Sequence, residues 1–137
     1  MKVLVDTNVV LDFFLSREPQ ADVATKVFDL LRQEKADGFV TANSITDIYY
    51  ITAKRLGDDN ARNVLRSLLT IVTIIALDGG DCAEALDLPI RDFEDAVVTV
   101  CAKKVEVDCI VTNDKEFLNT NLARVINTDD FLGMIKE

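Results

Sequence analysis

The sequence contains no histidine, which restricts the chemistry that the chain can perform. Without imidazole there is no histidine acid–base catalysis, no Ser–His or Cys–His nucleophile pair, and no zinc site of the common kinds. Any reaction must therefore use carboxylates, hydroxyls, lysine or a bound metal.

Cysteine and long apolar runs are also scarce. Cys82, Cys101 and Cys109 are odd in number and have no C-x-x-C spacing, which indicates reduced thiols and no disulfide framework. The longest apolar candidate, residues 68–77, contains two threonines and is too short to span a membrane. The N-terminus carries one lysine before a predicted strand and does not read as a signal peptide. We expect a cytoplasmic protein that does not associate with membranes.

Positive charge is in deficit, with 15 Lys and Arg against 24 Asp and Glu, for a net charge of -9. This balance argues against tight, sequence-independent adhesion to nucleic acid, which depends on many phosphate contacts. It leaves room for a nuclease with a local metal site. The length of 137 residues and the 49% apolar content fit a single domain, residues 1–137, that folds unaided.

The N-terminal stretch is the most informative part of the chain. Residues 3–5 are apolar and mainly β-branched, which predicts a short buried strand ending at Asp6. Apolar residues then recur at helical spacing from Val9 to Phe14, so residues 6–8 are predicted to turn from the strand into a helix. Ligands bind at such turns in open α/β sheets, although Asp6 or Asn8 could instead only cap the helix.

Strands and helices alternate along the rest of the chain. Further strands are predicted at residues 39–41, 71–76, 108–112 and 125–127, and further helices at residues 19–35, 43–57, 58–69, 78–88, 92–104 and 129–136. Pro19 is placed in the first turn of its helix, Asn43 or Ser44 at the N-cap of the next, and Leu69 on a buried face. Helical crossovers favour parallel strands, so we predict a three-layer α/β/α sandwich around a mostly parallel sheet of four to five strands.

Four acids stand at corresponding places near predicted helix starts, namely Asp6, Asp47, Asp95 and Asp114. Each could simply stabilise a helix N-terminus, and Asp92 with Asp95 could form a variant of the capping box. Together they predict carboxylates that converge at one edge of the sheet, where their repulsion requires a cation or a proton. Oxygen ligands without imidazole or thiolate select Mg²⁺ or Mn²⁺.

Three short blocks carry a family resemblance. VDTNV at residues 5–9, DFEDA at residues 92–96 and IVTNDKEF at residues 110–117 resemble, in order and spacing, the three blocks of a PIN domain. The resemblance implies metal-dependent cleavage of RNA. It also implies kinship with small VapC-type toxins, which are paired with a small antitoxin protein.

The resemblance also assigns roles by position. Asp6, Asp95 and Asp114 match acids of the metal site, and either Asp95 or Asp114 would orient the attacking water. Asp47 matches a fourth catalytic position that is more often glutamate. The matching polar positions that support the site are Thr7, Asn8, Ser44 and Thr112. Four basic residues near these blocks could bind phosphates or could be ordinary surface charges, namely Arg17, Lys54, Arg55 and Lys115.

Two other functions remain open at this point. The turn at residues 6–8 also resembles that of haloacid-dehalogenase phosphoryl-transfer enzymes, but their pattern is D-x-D-x-T and Asn8 departs from it. A PIN-like fold could alternatively serve only as a protein-interaction module. We further expect a homodimer or a complex with a small partner. The third and fourth predicted helices carry more apolar surface than a small domain can cover, on Tyr49, Tyr50, Leu68 and Leu69.

Overall fold

The computed structural model describes residues 1–135. In this part of the chain the strands are β1 (Lys2–Val5), β2 (Asp37–Thr41), β3 (Val72–Ile75), β4 (Cys109–Val111) and β5 (Val125–Ile126). The helices are α1 (Thr7–Phe14), α2 (Ala21–Arg32), α3 (Ala42–Leu56), α4 (Asp58–Leu68), α5 (Gly79–Leu86), α6 (Phe93–Val105), α7 (Lys115–Leu118) and α8 (Thr128–Ile135).

The five strands form one parallel sheet in the order β3-β2-β1-β4-β5. Strand β1 is central, with Leu4 opposite Phe39 of β2 and opposite Ile110 of β4. Because successive side chains of a strand face opposite ways, β1 contributes to both hydrophobic layers. Helices cover both faces, which confirms the predicted three-layer α/β/α sandwich.

Each face of the sheet has its own hydrophobic core. Val3 and Val5 of β1 belong to one core, together with Phe28 of α2. Leu4 belongs to the other core, together with Phe117 of α7. Burial of one such side chain stabilises the fold by about 1.5–3 kcal/mol, so both cores hold β1 and its carboxyl end in place.

Several predicted helix starts are wrong by a few residues. Helix α1 already begins at Thr7, with Asp6 as its N-cap. Pro19 lies before α2, whose N-cap is Gln20. Thr41 is the N-cap of α3, which places Asn43 and Ser44 inside the helix; the Ser44 hydroxyl bonds to other side-chain hydroxyls instead of capping.

Helix ends and short elements differ as well. Leu69 is 47% exposed because α4 ends at Leu68, which is fully buried. Helix α2 ends before Glu34, which has a left-handed backbone with φ of 58°. Helix α7 was not predicted, since four residues are too few to show helical periodicity. The predicted end of the last helix at Lys136 falls outside the described residues.

Two expectations from the composition concern the cysteines and the length of apolar helices. Cys82, Cys101 and Cys109 form no disulfide with one another, and the last two are buried. Among residues 1–135, no helix combines the length and the apolar character that crossing a membrane requires.

Candidate active site

The strand order reverses direction between β1 and β4, and the carboxyl ends of these two strands lie side by side. From β1 the chain passes to β2 on one side, whereas β4 pairs with β1 on the other. In open parallel sheets, ligands bind beyond the strand ends at such a switch point. Asp6 directly follows β1, and Thr112 directly follows β4.

The Thr112 hydroxyl joins the two strand ends. It donates to Asp6 Oδ2 over 2.8 Å and accepts the Asp114 backbone amide over 3.0 Å. The Thr7 amide donates to Asp6 Oδ1 over 2.9 Å, and Asn8 Nδ2 donates to Thr112 Oγ1 over 3.3 Å. Asp6 is 5% exposed, so these bonds fix a buried carboxylate at the edge of the sheet.

A second link places α3 beside α1. The hydroxyl oxygens of Thr7 and Ser44 lie 2.6 Å apart, and Thr41 Oγ1 donates to Ser44 Oγ over 3.2 Å. All three residues are buried. This chain of hydroxyls fixes the start of α3, and with it the position of Asp47 in the next turn.

Most of the predicted acids share one cavity of about 270 Å³, which we call the carboxylate cavity. Its lining residues are Asp6, Thr7, Asn8, Leu11, Arg17, Asp92, Glu94, Asp95 and Asp114. The structure thus brings together the three predicted ligands Asp6, Asp95 and Asp114. A larger cavity of about 520 Å³ lies between α2 and α8, away from this constellation.

Other sequence candidates fall outside the carboxylate cavity. Asp47 does not line it and faces Glu94, which does. Ser44 acts on the cavity only through Thr7. The three other basic candidates, Lys54, Arg55 and Lys115, are exposed and are not among its lining residues.

The carboxylates in the cavity repel one another. Burial, followed by the charges of Asp92, Asp6 and Asp114, raises the pKa of Asp95 to about 7. Burial also raises the pKa of Asp6; the Thr112 hydroxyl and the Thr7 amide oppose that shift, and Asp114 adds to it. Such a cluster favours binding of a proton or a cation.

Glu94 is a site residue that the sequence reasoning missed. Partial desolvation and the facing Asp47 carboxylate raise its pKa to about 7. Its position in the block at residues 92–96, one residue before Asp95, was the available signal. Sequence spacing alone could not show that α3 places Asp47 against it.

The acidic side chains of the carboxylate cavity suit a hard divalent cation, because they offer only oxygen atoms as ligands. In residues 1–135, however, no three acidic, histidine or cysteine side chains are close enough to form a ready metal site. Two of the acids act as helix caps: Asp92 Oδ1 accepts the Asp95 amide over 3.1 Å, and Asp114 Oδ1 accepts the Glu116 amide over 2.9 Å. Each carboxylate keeps further lone pairs beyond those used in capping.

Helix capping and clustering coexist at this site. Asp6, Asp92 and Asp114 are N-caps, and Asp92 with Asp95 forms half of a capping box. Asp95 lies inside the first turn of α6 and is 7% exposed. Capping therefore does not account for its buried carboxylate.

The sequence and the fold are similar to those of known proteins. The chain is 28% identical over 135 residues to Ribonuclease VapC1 of Aquifex aeolicus (strain VF5), across 95% of this chain and 92% of that protein. Its fold is similar to VapBC2 from Rickettsia felis bound to a promoter DNA fragment, with a TM-score of 0.72 and 17% identity over 93% of this chain and 98% of that one.

A second solved structure has the same fold, and a family profile matches the sequence. Mycobacterium tuberculosis VapC20, a Sarcin-Ricin loop cleaving toxin, is similar with a TM-score of 0.69 and 15% identity over 84% of this chain and 92% of that one. A sequence profile of the PIN domain matches residues 2–116, which is most of the chain. The protein therefore belongs to the PIN domain family.

Proposed function

We propose that this protein is a ribonuclease that hydrolyses phosphodiester bonds in RNA with the help of Mg²⁺ or Mn²⁺. The observation that carries the proposal is the meeting of Asp6, Asp95 and Asp114 in one cavity beyond the ends of β1 and β4. The similarity to Ribonuclease VapC1 supports RNA as the substrate. Membership of the PIN family ranks this function above a phosphoryl-transfer enzyme of the haloacid-dehalogenase type.

In this proposal, Asp6, Asp95 and Asp114 hold the ion. When bound there, a divalent ion would lower the pKa of a water molecule and offset the charge that develops on the phosphate. Asp95 orients the attacking water, because it is buried and is not occupied with capping. Thr112 and Asn8 keep Asp6 in place through their hydrogen bonds.

Asp47 has a supporting role in this proposal. Its carboxylate lies close to Glu94 and, after desolvation, is the next largest cause that raises the pKa of Glu94 to about 7. Asp47 reaches the carboxylate cavity only through this neighbour. We therefore assign it to positioning Glu94 and do not count it among the ligands of the ion.

A cleavage assay against a mixed RNA pool tests the enzyme directly. We expect cleavage with Mg²⁺ or Mn²⁺ and none with EDTA, because the chain has no histidine base to replace the ion. A non-catalytic interaction module would leave the pool intact under all these conditions. Cleavage that persists in EDTA would contradict the metal-dependent mechanism.

We also propose that the protein is the toxin of a toxin–antitoxin pair and that it self-associates. The similarity to VapBC2 supports a small antitoxin partner. For the homodimer, the support is two exposed apolar side chains, which we call the apolar patch: Tyr50 on α3 is 69% exposed, and Leu69 at the C-cap of α4 is 47% exposed. Leu68, which the sequence assigned to this patch, is buried and does not contribute.

Sedimentation at increasing protein concentration tests self-association. We expect wild type to form dimers and Tyr50→Glu to remain monomeric, because a buried unpaired carboxylate is costly in an interface. Leu86→Glu is a matched control, since Leu86 is 72% exposed on α5, on the other face of the sheet. A monomeric wild type, or dimers that withstand Tyr50→Glu, would refute this patch as the interface.

A further inference from the structure

Asp12 is a buried acid that the mechanism above does not use. It lies on α1 and is 6% exposed. Arg17 Nε donates to Asp12 Oδ1 over 2.9 Å, and Asn113 Nδ2 donates to Asp12 Oδ2 over 2.9 Å. A carboxylate is buried at a cost unless it is paired and hydrogen-bonded, so this arrangement ties Asp12 firmly to Arg17.

The backbone of Arg17 is held by the same helix. At the end of α1 the Arg17 amide donates to the Asp12 carbonyl over 3.0 Å, and the Ser16 amide donates to the Phe13 carbonyl over 3.4 Å. Ser16 has a left-handed φ of 50°, so the segment forms a Schellman motif. Arg17 Nη2 also donates to the Asn8 carbonyl over 3.2 Å, so backbone and side chain are both fixed.

The fixed guanidinium faces the acids of the active site. Within the described part of the chain, Arg17 is the only basic residue that lines the carboxylate cavity. Its side chain is 35% exposed, and Asp12 and the Asn8 carbonyl occupy two of its five N–H donors. The remaining donors form a rigid fork of the kind that binds phosphate oxygens.

We propose that Arg17 binds a backbone phosphate of the RNA next to the scissile one, and that Asp12 is a positioning residue that fixes the direction of the guanidinium. This inference rests on the proposed ribonuclease function. A cavity lined by acids repels RNA, so a fixed cation at its rim offsets that repulsion where the strand enters. Arg17 is partly exposed at the rim, whereas Asp6 and Asp95 are buried, which is why we assign it the neighbouring phosphate.

Arg17→Gln and Arg17→Lys test the proposal, with Arg32→Gln as the matched control. Arg32 lies in a surface ion pair with Asp29 on α2, with 3.7 Å between Nη1 and Oδ1, and does not line the carboxylate cavity. The readouts are kcat and KM for cleavage of a short RNA. A third readout is the salt dependence of binding of the same labelled RNA, with Ca²⁺ in place of Mg²⁺.

For Arg17→Gln we expect KM to rise about tenfold, because a charged hydrogen-bonding contact is lost in substrate and transition state alike. The kcat should stay within about threefold of wild type. The slope of log affinity against log salt should fall by about 0.7, which is the loss of one phosphate contact on a single strand. Arg17→Lys should keep the slope but recover only part of the affinity, since it lacks the planar fork.

The double variant Asp12→Asn with Arg17→Gln guards against a folding defect, because it leaves no unpaired buried carboxylate. We expect it to melt like wild type and to show the same KM and slope as Arg17→Gln. The inference is overturned if Arg17→Gln matches Arg32→Gln in KM and slope, or if kcat falls and KM does not change. A wild type that binds the RNA with an Arg17-dependent slope but cleaves nothing supports this inference and defeats the ribonuclease proposal.

Discussion

Replacement of Asp95 by Asn is expected to lower the rate of RNA cleavage by about a hundredfold or more, since the ion loses a ligand charge. Asp95 is buried in the first turn of α6 and caps no helix, so its carboxylate has no evident structural task. Asp6→Asn should have a similar effect, because Asp6 is the acid at which β1 and β4 meet. Initial rates with saturating Mn²⁺ measure the loss.

Asp92→Asn is the matched control for this loss. Asp92 lines the same cavity and is the N-cap of α6, and asparagine caps about as well as aspartate. We therefore expect only a several-fold decrease in rate for this variant. Near-normal cleavage by a folded Asp95→Asn or Asp6→Asn protein would contradict the assignment of these acids to the metal.

The second large effect is a loss of metal-free stability as the pH rises. Aspartate in the unfolded chain has a pKa near 3.8, whereas that of Asp95 in the fold is raised to about 7, chiefly by burial. Between these two values the folded state holds a proton that the unfolded state has released. The free energy of unfolding therefore falls with increasing pH across this window.

The size of this effect follows from the pKa difference. One pKa unit corresponds to about 1.4 kcal/mol, so ionisation of Asp95 costs the fold at most about 4 kcal/mol. Rotation of the side chain and screening by solvent ions reduce that cost, and we expect about 2 kcal/mol between pH 5 and pH 8. The hydrogen bond and ion pair with Lys104 lower the pKa of Asp81. The stability that ionised Asp81 contributes is therefore lost only when the pH falls below this window.

Urea denaturation of the metal-free protein at several pH values measures this dependence. Wild type should be more stable at pH 5 than at pH 8. Asp95→Asn should reduce this difference by gaining stability at pH 8, and the part due to Glu94, whose pKa is also raised to about 7, should remain. Mn²⁺ should restore stability to wild type at pH 8 more than to the variant. If instead wild type loses stability on acidification and Asp95→Asn leaves the curve unchanged, the carboxylates do not repel one another.

Local sequence patterns predicted the fold class and the place of the site. The apolar strand before Asp6 and the polar residues after β4 indicated where the strands end, and a parallel sheet brings such ends to one edge. These predictions required no knowledge of contacts between residues that are far apart in the sequence. The order of the strands does require such contacts, and it determines that β1 and β4 are neighbours.

The residues that the sequence reasoning missed depend on tertiary packing. Glu94 lines the carboxylate cavity, and its raised pKa depends in part on Asp47 of α3. Arg17 is one of four basic candidates near the sequence blocks, and the end of α1 and the buried Asp12 distinguish it from the others. Helix periodicity and residue type give no information about such contacts between elements.

Helix capping and clustering of the acids are compatible with each other in the structure. Asp114 caps α7 and lines the carboxylate cavity, so one residue serves both interpretations that the sequence left open. Asp92 and Asp114 each accept a backbone amide as helix caps. In the proposed metal site, an ion held by Asp114 would compete with the cap that this residue provides, which contributes about 1 kcal/mol.

Titration of Mn²⁺ into the metal-free protein, followed by calorimetry, tests the central claim most directly. Asp37→Asn is the control, because Asp37 is exposed at the start of β2, at the opposite edge of the sheet. We predict saturable binding to wild type and to Asp37→Asn, and affinity weaker by about tenfold or more in Asp6→Asn and Asp95→Asn. Absence of binding to wild type, or equal affinity in all four proteins, would contradict a shared metal site at the carboxylate cavity.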